Sequence, residues 1–225
     1  MKTYLCIGAG PGIGAATAKR FLREGYRVVL VSRTAAASSE LKALFEPDAA
    51  NVAYEAADAS DPQQMAALIE KYEGDDLEVV HYNAAVMRYD TSGALIMQGI
   101  ESETASDIAN DIAVNVSSAL ATVAKVIPIM RARGAGTILL TGGGLAVQPS
   151  ADLLTLSIGK AAMRTIGEAL FEPLKQRGIH IASVRVSTLV ASDPEHPRKI
   201  AEAFWDLHAQ ETPAWTWETL YPNAA

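Results

Sequence analysis

The sequence predicts an α/β fold, a single doubly wound parallel sheet (Rossmann-like) with helices on both faces. Three observations carry this. Short apolar segments alternate with helix-like segments from the first residues onward. The strand-like segments are apolar throughout rather than at every second position, as strands covered on both faces must be. A glycine-rich turn, GAGPGIG, joins the first strand to the first helix. Right-handed crossovers then place ligands beyond the carboxyl ends of the strands.

Each element has its own signal. TYLCIG is a short buried-strand run, and GIGAATAKRFLREG follows at helical spacing and stops at Gly25. YRVVLVS is the second strand and ASSELKALFE the second helix. NVAYEAAD and DPQQMAALIEKYEG repeat the pattern, with Asp61-Pro62 as the helix entry. LEVVHYNAA is the fourth strand. A helix over 104–132 carries the chain to GTILLTGGG, and a helix over 151–177 leads to IHIASVRVS. PEHPRKIAEAFWDLHAQ is a further amphipathic helix, AWTWETLYPNAA supplies a short edge strand, and the three tryptophans of this tail are expected to pack on the sheet. The reading is one domain over 1–225, with 193–225 as its C-terminal helix and tail.

Composition narrows the function. The chain has 225 residues, 49% hydrophobic and 20% charged, enough for one domain with a sizeable core. A net charge of −7 gives no footprint for nucleic acid or an acidic membrane surface. The single cysteine, Cys6, sits in an apolar run and reads as a buried thiol in a reducing cytoplasm. The N-terminal apolar run breaks into glycines too early for a signal peptide. The apolar stretch DIAVNVSSALATVAKVIPIM is interrupted by Asp111, Asn115, Lys125 and Pro128 and does not read as a membrane span. The four histidines are scattered, so no metal site is expected.

Gly8, Gly12 and Gly14 have the spacing GxxxGxG, with Ile13 where a GxGxxG fingerprint would place its last glycine. Such a turn lets a diphosphate approach the amides of a helix N-terminus. Later landmarks follow in order: Asp58 in AADAS, Asn83-Ala84-Ala85 after Tyr82, Asn115 in AVNVSS, and Lys160. Singly, Asp58 or Asn115 also reads as a helix cap or a core polar group. In order and spacing, over about residues 3 to 190, the chain resembles the short-chain dehydrogenase/reductase family. The resemblance implies an NAD(P)-binding oxidoreductase in which Asp58 contacts the adenine. It also implies that Asn115 holds water near the active site and that Lys160 binds the nicotinamide ribose; the alternative for Lys160 is a snorkelling surface lysine. At the end of the second strand Ser32 replaces an acidic residue and Arg33 follows. Arg33 reads either as a 2′-phosphate ligand, which favours NADP(H) over NAD(H), or as a solvated arginine.

The family's acid–base pair is missing. Counting back from Lys160, Gly143 stands where the family has serine and Leu156 where it has tyrosine; in the enoyl-reductase register the tyrosine position is Leu153. Val186-Ser187 stands in place of the Pro-Gly after the sixth strand. Three substitutes suggest themselves. The backbone amides of Gly142, Gly143 and Gly144 could form an oxyanion hole beside Thr141, with water relayed through Lys160 and Asn115. Asp152 lies one turn before Leu156, though a carboxylate is a poor acid at neutral pH. Tyr82, Tyr89 or His81 could reach in from the fourth strand, with His81 expected to face the core.

Two functions remain open at this point: an NADP(H)-dependent oxidoreductase of a small carbonyl or alcohol with a non-standard proton route, and a catalytically inactive NADP(H)-binding sensor or regulator. A homodimer or homotetramer through the helices over 104–132 and 151–177 is expected, with small molecules as ligands and neither nucleic acid nor membrane as a partner.

Overall fold

The computed structural model describes residues 1–33, 39–74 and 76–222. Its strands are β1 (Thr3–Ile7), β2 (Arg27–Ser32), β3 (Val52–Ala56), β4 (Leu77–Tyr82), β5 (Gly136–Gly143), β6 (Ile179–Val186) and β7 (Glu218–Tyr221). They form one sheet in the order β3-β2-β1-β4-β5-β6-β7, and every pair is parallel. The order reverses direction at β1 and β4, so their tips diverge from one another and open a crevice there.

The helices are α1 (Ile13–Arg23), α2 (Ser39–Leu44), α3 (Pro62–Lys71), α4 (Ala105–Ile112), α5 (Ser118–Arg133), α6 (Leu154–Lys175) and α7 (His196–His208). Part of the helix expected at ASSELKALFE lies outside the described residues. Neighbouring strand residues serve opposite faces. Leu5, Val29, Val80, Leu140 and Ile181 belong to one core, with Val123 and Val126 of α5 and Ile166 of α6. Tyr4, Cys6, Val28, Leu139 and Ala182 belong to the other, with Phe21 of α1 and Phe204 of α7. Two buried faces are why the strands read as unbroken apolar runs.

Local chemistry sets the boundaries. Asp61 caps α3 by accepting from the amides of Gln63 and Gln64, with Pro62 in the first turn. Thr104 and Asp107 form a capping box at α4. The helix expected over 104–132 is not continuous: a π-turn, Ala113–Ser117, separates α4 from α5. The widened turn frees the Val114 carbonyl, which accepts from the Tyr82 hydroxyl at 2.6 Å. The helix expected from 151 begins at Leu154, after a 3-10 turn over Ala151–Leu153.

The expected edge strand is present and parallel to β6. Just before it, Trp215 stacks on His180 of β6 with ring centroids 4.6 Å apart and Trp217 lies against the core, as expected, whereas Trp205 of α7 packs on Phe21 of α1, with ring centroids 5.2 Å apart, rather than on the sheet. By length and composition the run Ala105–Arg133 is apolar enough to cross a membrane. Val114, Ala119, Val123, Val126 and Met130 of that run are buried in the core beside the sheet.

Candidate active site

The strand tips are locked together at the switch point. Gly8 has φ +87°, and a β-carbon there would stand 2.4 Å from the backbone of Ala84. Glycine is required twice over, by backbone conformation and by the close approach of the β4 tip. Asn83 completes the junction, its Nδ2 donating to the Gly8 carbonyl at 2.8 Å. Gly12 precedes the first turn of α1, which contains no acidic residue. Gly10 and Gly12 both line the cavity, and a β-carbon on either would point into open space. Bare backbone at a helix N-terminus suits a diphosphate.

The cavity above these tips has a volume of about 1270 Å³ and runs along the carboxyl edge of the sheet. Ser32, Arg33 and Asp58 line it on the β2–β3 side, and Gly8, Gly12, Ile13, Gly14, Asn83, Ala84 and Ala85 line it at the centre. Gly143, Leu153, Leu156, Lys160 and Ser187 line it on the β5–β6 side. One oxygen of Asp58 accepts from the amide and hydroxyl of Ser60, each at 2.8 Å, which fixes the carboxyl group at the rim.

Lys160 reaches across from α6, and its ammonium donates to the Thr141 carbonyl at 2.8 Å. Burial pulls its pKa down to about 8. Its stem passes over Gly143, where a β-carbon would lie 3.1 Å from the lysine Cγ. Lys160 is therefore a cavity residue, not a snorkelling surface lysine. Leu156, one turn earlier, is buried and also faces the cavity.

The other expected residues divide. Asn115 lies in the π-turn against Gly159, where a β-carbon would come within 2.5 Å of the Asn115 Cβ. Its Oδ1 accepts from the Val86 amide at 2.8 Å, and the residue does not line the cavity. Its side chain thus pins the loop after β4. Asp152 lines a separate small cavity instead. Tyr82 is committed to the Val114 carbonyl. Tyr89 lines the main cavity and is half exposed. Gly142 and Gly143 are paired residues of β5, opposite Arg185 and Val186, so the three glycines are not one open loop. Val186 likewise continues its strand beside Tyr221, and the Ser187 amide donates to the Tyr221 carbonyl at 2.7 Å.

His81 is fully buried, as expected, but it is wired to the site. The Tyr4 hydroxyl meets its Nδ1 at 2.6 Å, and its Nε2 meets the Thr141 hydroxyl at 2.8 Å. Thr141 donates onward to Asn83 Oδ1 at 2.8 Å. That order of donors requires a neutral imidazole with its proton on Nε2. Burial first, and the Lys160 charge second, push its pKa down to about 3, which fits. The chain Tyr4–His81–Thr141–Asn83–Gly8 joins the core to the glycine turn. The sequence signal for it was a histidine near the end of a buried strand and an asparagine two residues later, just past its tip.

The short chain dehydrogenase family profile matches residues 2–198. The chain belongs to that family. Among relatives of this short-chain dehydrogenase, Oxidoreductase asL5 of Sarocladium schorii is 25% identical over 215 residues, covering 94% of this chain and 81% of the relative. A very-long-chain 3-oxoacyl-CoA reductase of Neurospora crassa is 28% identical over 195 residues, covering 82% of this chain but only 55% of the relative. A metagenomic short-chain oxidoreductase solved in complex with NADP superposes with a TM-score of 0.85 at 22% identity, covering 100% of this chain and 98% of that one. At that identity the likeness is one of fold.

Proposed function

We propose that this short-chain dehydrogenase is an NADP(H)-dependent oxidoreductase of a small carbonyl or alcohol substrate, with Lys160 in its proton route in place of a tyrosine. The observation that carries the reading is the Lys160 ammonium, held at the cavity floor with a backbone carbonyl as partner and its pKa lowered to about 8 by burial. An amine in that range exchanges protons near neutral pH.

The lining residues fit the coenzyme. In this reading the bare amides around Gly12, Ile13 and Gly14 take the diphosphate, with Gly8 shaping the turn. Asp58 and Ala84 flank the adenosine half, and Asn83 keeps the tips in register. Arg33 and Ser32, at the β2 tip, take the 2′-phosphate. The bound nicotinamide supplies or accepts the hydride. Lys160 holds the ribose and passes a proton to the substrate oxygen, directly or through one water. Asn115 contributes by holding the Val86 loop. Gly143 and Leu156, in the family's serine and tyrosine positions, leave this route without a phenol. NADPH oxidation against a panel of aldehydes, ketones and quinones tests the reading: turnover that disappears in Lys160→Met supports it.

The second reading, an inactive NADP(H)-binding sensor or regulator, is favoured by the same two positions. Tight NADPH binding with no turnover on any acceptor selects it. In both readings the chain is one domain over 1–225, cytoplasmic, with neither nucleic acid nor membrane as a partner. It forms a homodimer or homotetramer, consistent with exposed Leu120, Leu154 and Ile158 on and around α5 and α6.

A further inference from the structure

On the β5–β6 side of the cavity the walls are mainly apolar, with Val86, Met87, Val147, Leu156 and Leu189 among them. Arg88 lies in this wall, and it is not free to receive an anion. Asp111 is 1% exposed and engages both terminal nitrogens of Arg88, at 2.9 and 2.8 Å. Thr155, the residue before Leu156, donates to Asp111 at 2.8 Å. Asp107 and Glu103 stand 3.5 and 3.7 Å from the same guanidinium. Three carboxylates around one cation leave an excess of negative charge. Arg185, the other arginine at this end, is paired with Glu218 at 3.1 Å.

We propose that Asp111 determines specificity by neutralising Arg88, so that the cavity takes uncharged, apolar carbonyl compounds and turns away acyl chains that end in an anionic group. This rests on the oxidoreductase reading for the site and names its substrate class. A buried, bidentate carboxylate holds an arginine far better than an incoming ligand could. A carboxylate-bearing end placed at this wall would lose its hydration and meet the excess negative charge of the Arg88 cluster. The inference also separates this chain from its 3-oxoacyl-CoA reductase relatives, whose named substrates carry an anionic carrier.

The test is calorimetric binding of 2-decanone and 9-oxodecanoate, a pair differing by a terminal carboxylate, to the full chain with and without NADPH. The wild type is expected to bind the ketone about tenfold tighter or more. Asp111→Asn, which removes the bidentate partner and one of the three negative charges while Asp107 and Glu103 stay beside Arg88, is expected to narrow that preference by about threefold or more. Equal or tighter binding of the oxo acid by the wild type overturns the proposal, as does an unchanged ratio in a folded Asp111→Asn. Should that variant not fold, the double change Arg88→Met, Asp111→Met removes both charges together and is expected to keep the ketone affinity. Loss of ketone binding there overturns the proposal, because Arg88 would then be gripping the ligand. NADPH binding in the same series separates the two claims. If NADPH fails to bind while the ketone preference holds, the coenzyme reading falls alone; if NADPH binds and both ligands bind alike, this inference falls alone.

Discussion

The stem of Lys160 lies over Gly143, so close that a β-carbon on the glycine would stand 3.1 Å from the lysine Cγ and 3.2 Å from its Cδ. The lysine thus leans over the spot a serine would share with it. Leu156 borders the same cavity. A serine at 143 requires the flexible stem to move by a few tenths of an ångström, which a lysine can do. The double variant Gly143→Ser, Leu156→Tyr is therefore expected to fold. It should raise NADPH-dependent ketone reduction by about 10²-fold or more, the range of positioned acid–base catalysis. Steady-state rates on one ketone for both proteins check this.

Lys160→Met is expected to separate binding from stability. The unfolded chain keeps the lysine proton to about pH 10.5 and the folded chain only to about pH 8. Between those values the unfolded state binds more protons, so wild-type stability rises with pH; below about 8 the full penalty of the buried ammonium is present. Lys160→Met should melt higher than wild type at pH 7, lose the rise between pH 8 and 10.5, and bind NADPH about tenfold more weakly. Thermal melts across that range, with a parallel NADPH titration, read all three.

His81 and His208 act in the same sense at acid pH. Burial is the main cause that lowers their pKa values, to about 3 and about 4. The unfolded chain takes up these protons near pH 6.5 while the folded chain refuses them until much lower, so stability present above 6.5 is lost as pH falls. Urea midpoints should drop between pH 6.5 and 4. In the double variant His81→Asn, His208→Asn that slope should flatten, even though the variant is less stable at pH 7 for losing the Tyr4, Thr141, Tyr26 and Thr137 partners.

Arg33 sets the coenzyme in this account. Arg33→Ala should weaken NADPH binding by about tenfold or more and leave NADH binding within about twofold, because only the 2′-phosphate is lost as a partner. Fluorescence titration with each coenzyme distinguishes this from a solvated arginine, for which neither affinity would move.

The sheet was legible because burial on both faces writes itself into composition: TYLCIG, RVVLVS and LEVVHY carry no alternation to misread. The glycine turn was legible for a similar reason, since Gly8 answers a positive φ and a close neighbour. Contacts between segments far apart in sequence were not. Nothing in AVNVSS announces a π-turn, or that its Val114 carbonyl would accept from the Tyr82 hydroxyl. Nor does it show that Asn115 would spend its oxygen on Val86. Asp111 looked like an interruption of an apolar helix until Arg88 and Thr155 were brought to it. Spacing put Asp152 beside Leu156, and the two do share a small second cavity, but spacing could not show that Asp152 stays out of the main one.

The proposed adenine dinucleotide along the strand tips is open to one decisive experiment, calorimetric titration of the wild-type chain with NADPH. One saturable site per chain is expected, weakened in both Arg33→Ala and Lys160→Met. No saturable binding at millimolar NADPH, or binding indifferent to both changes, would contradict it.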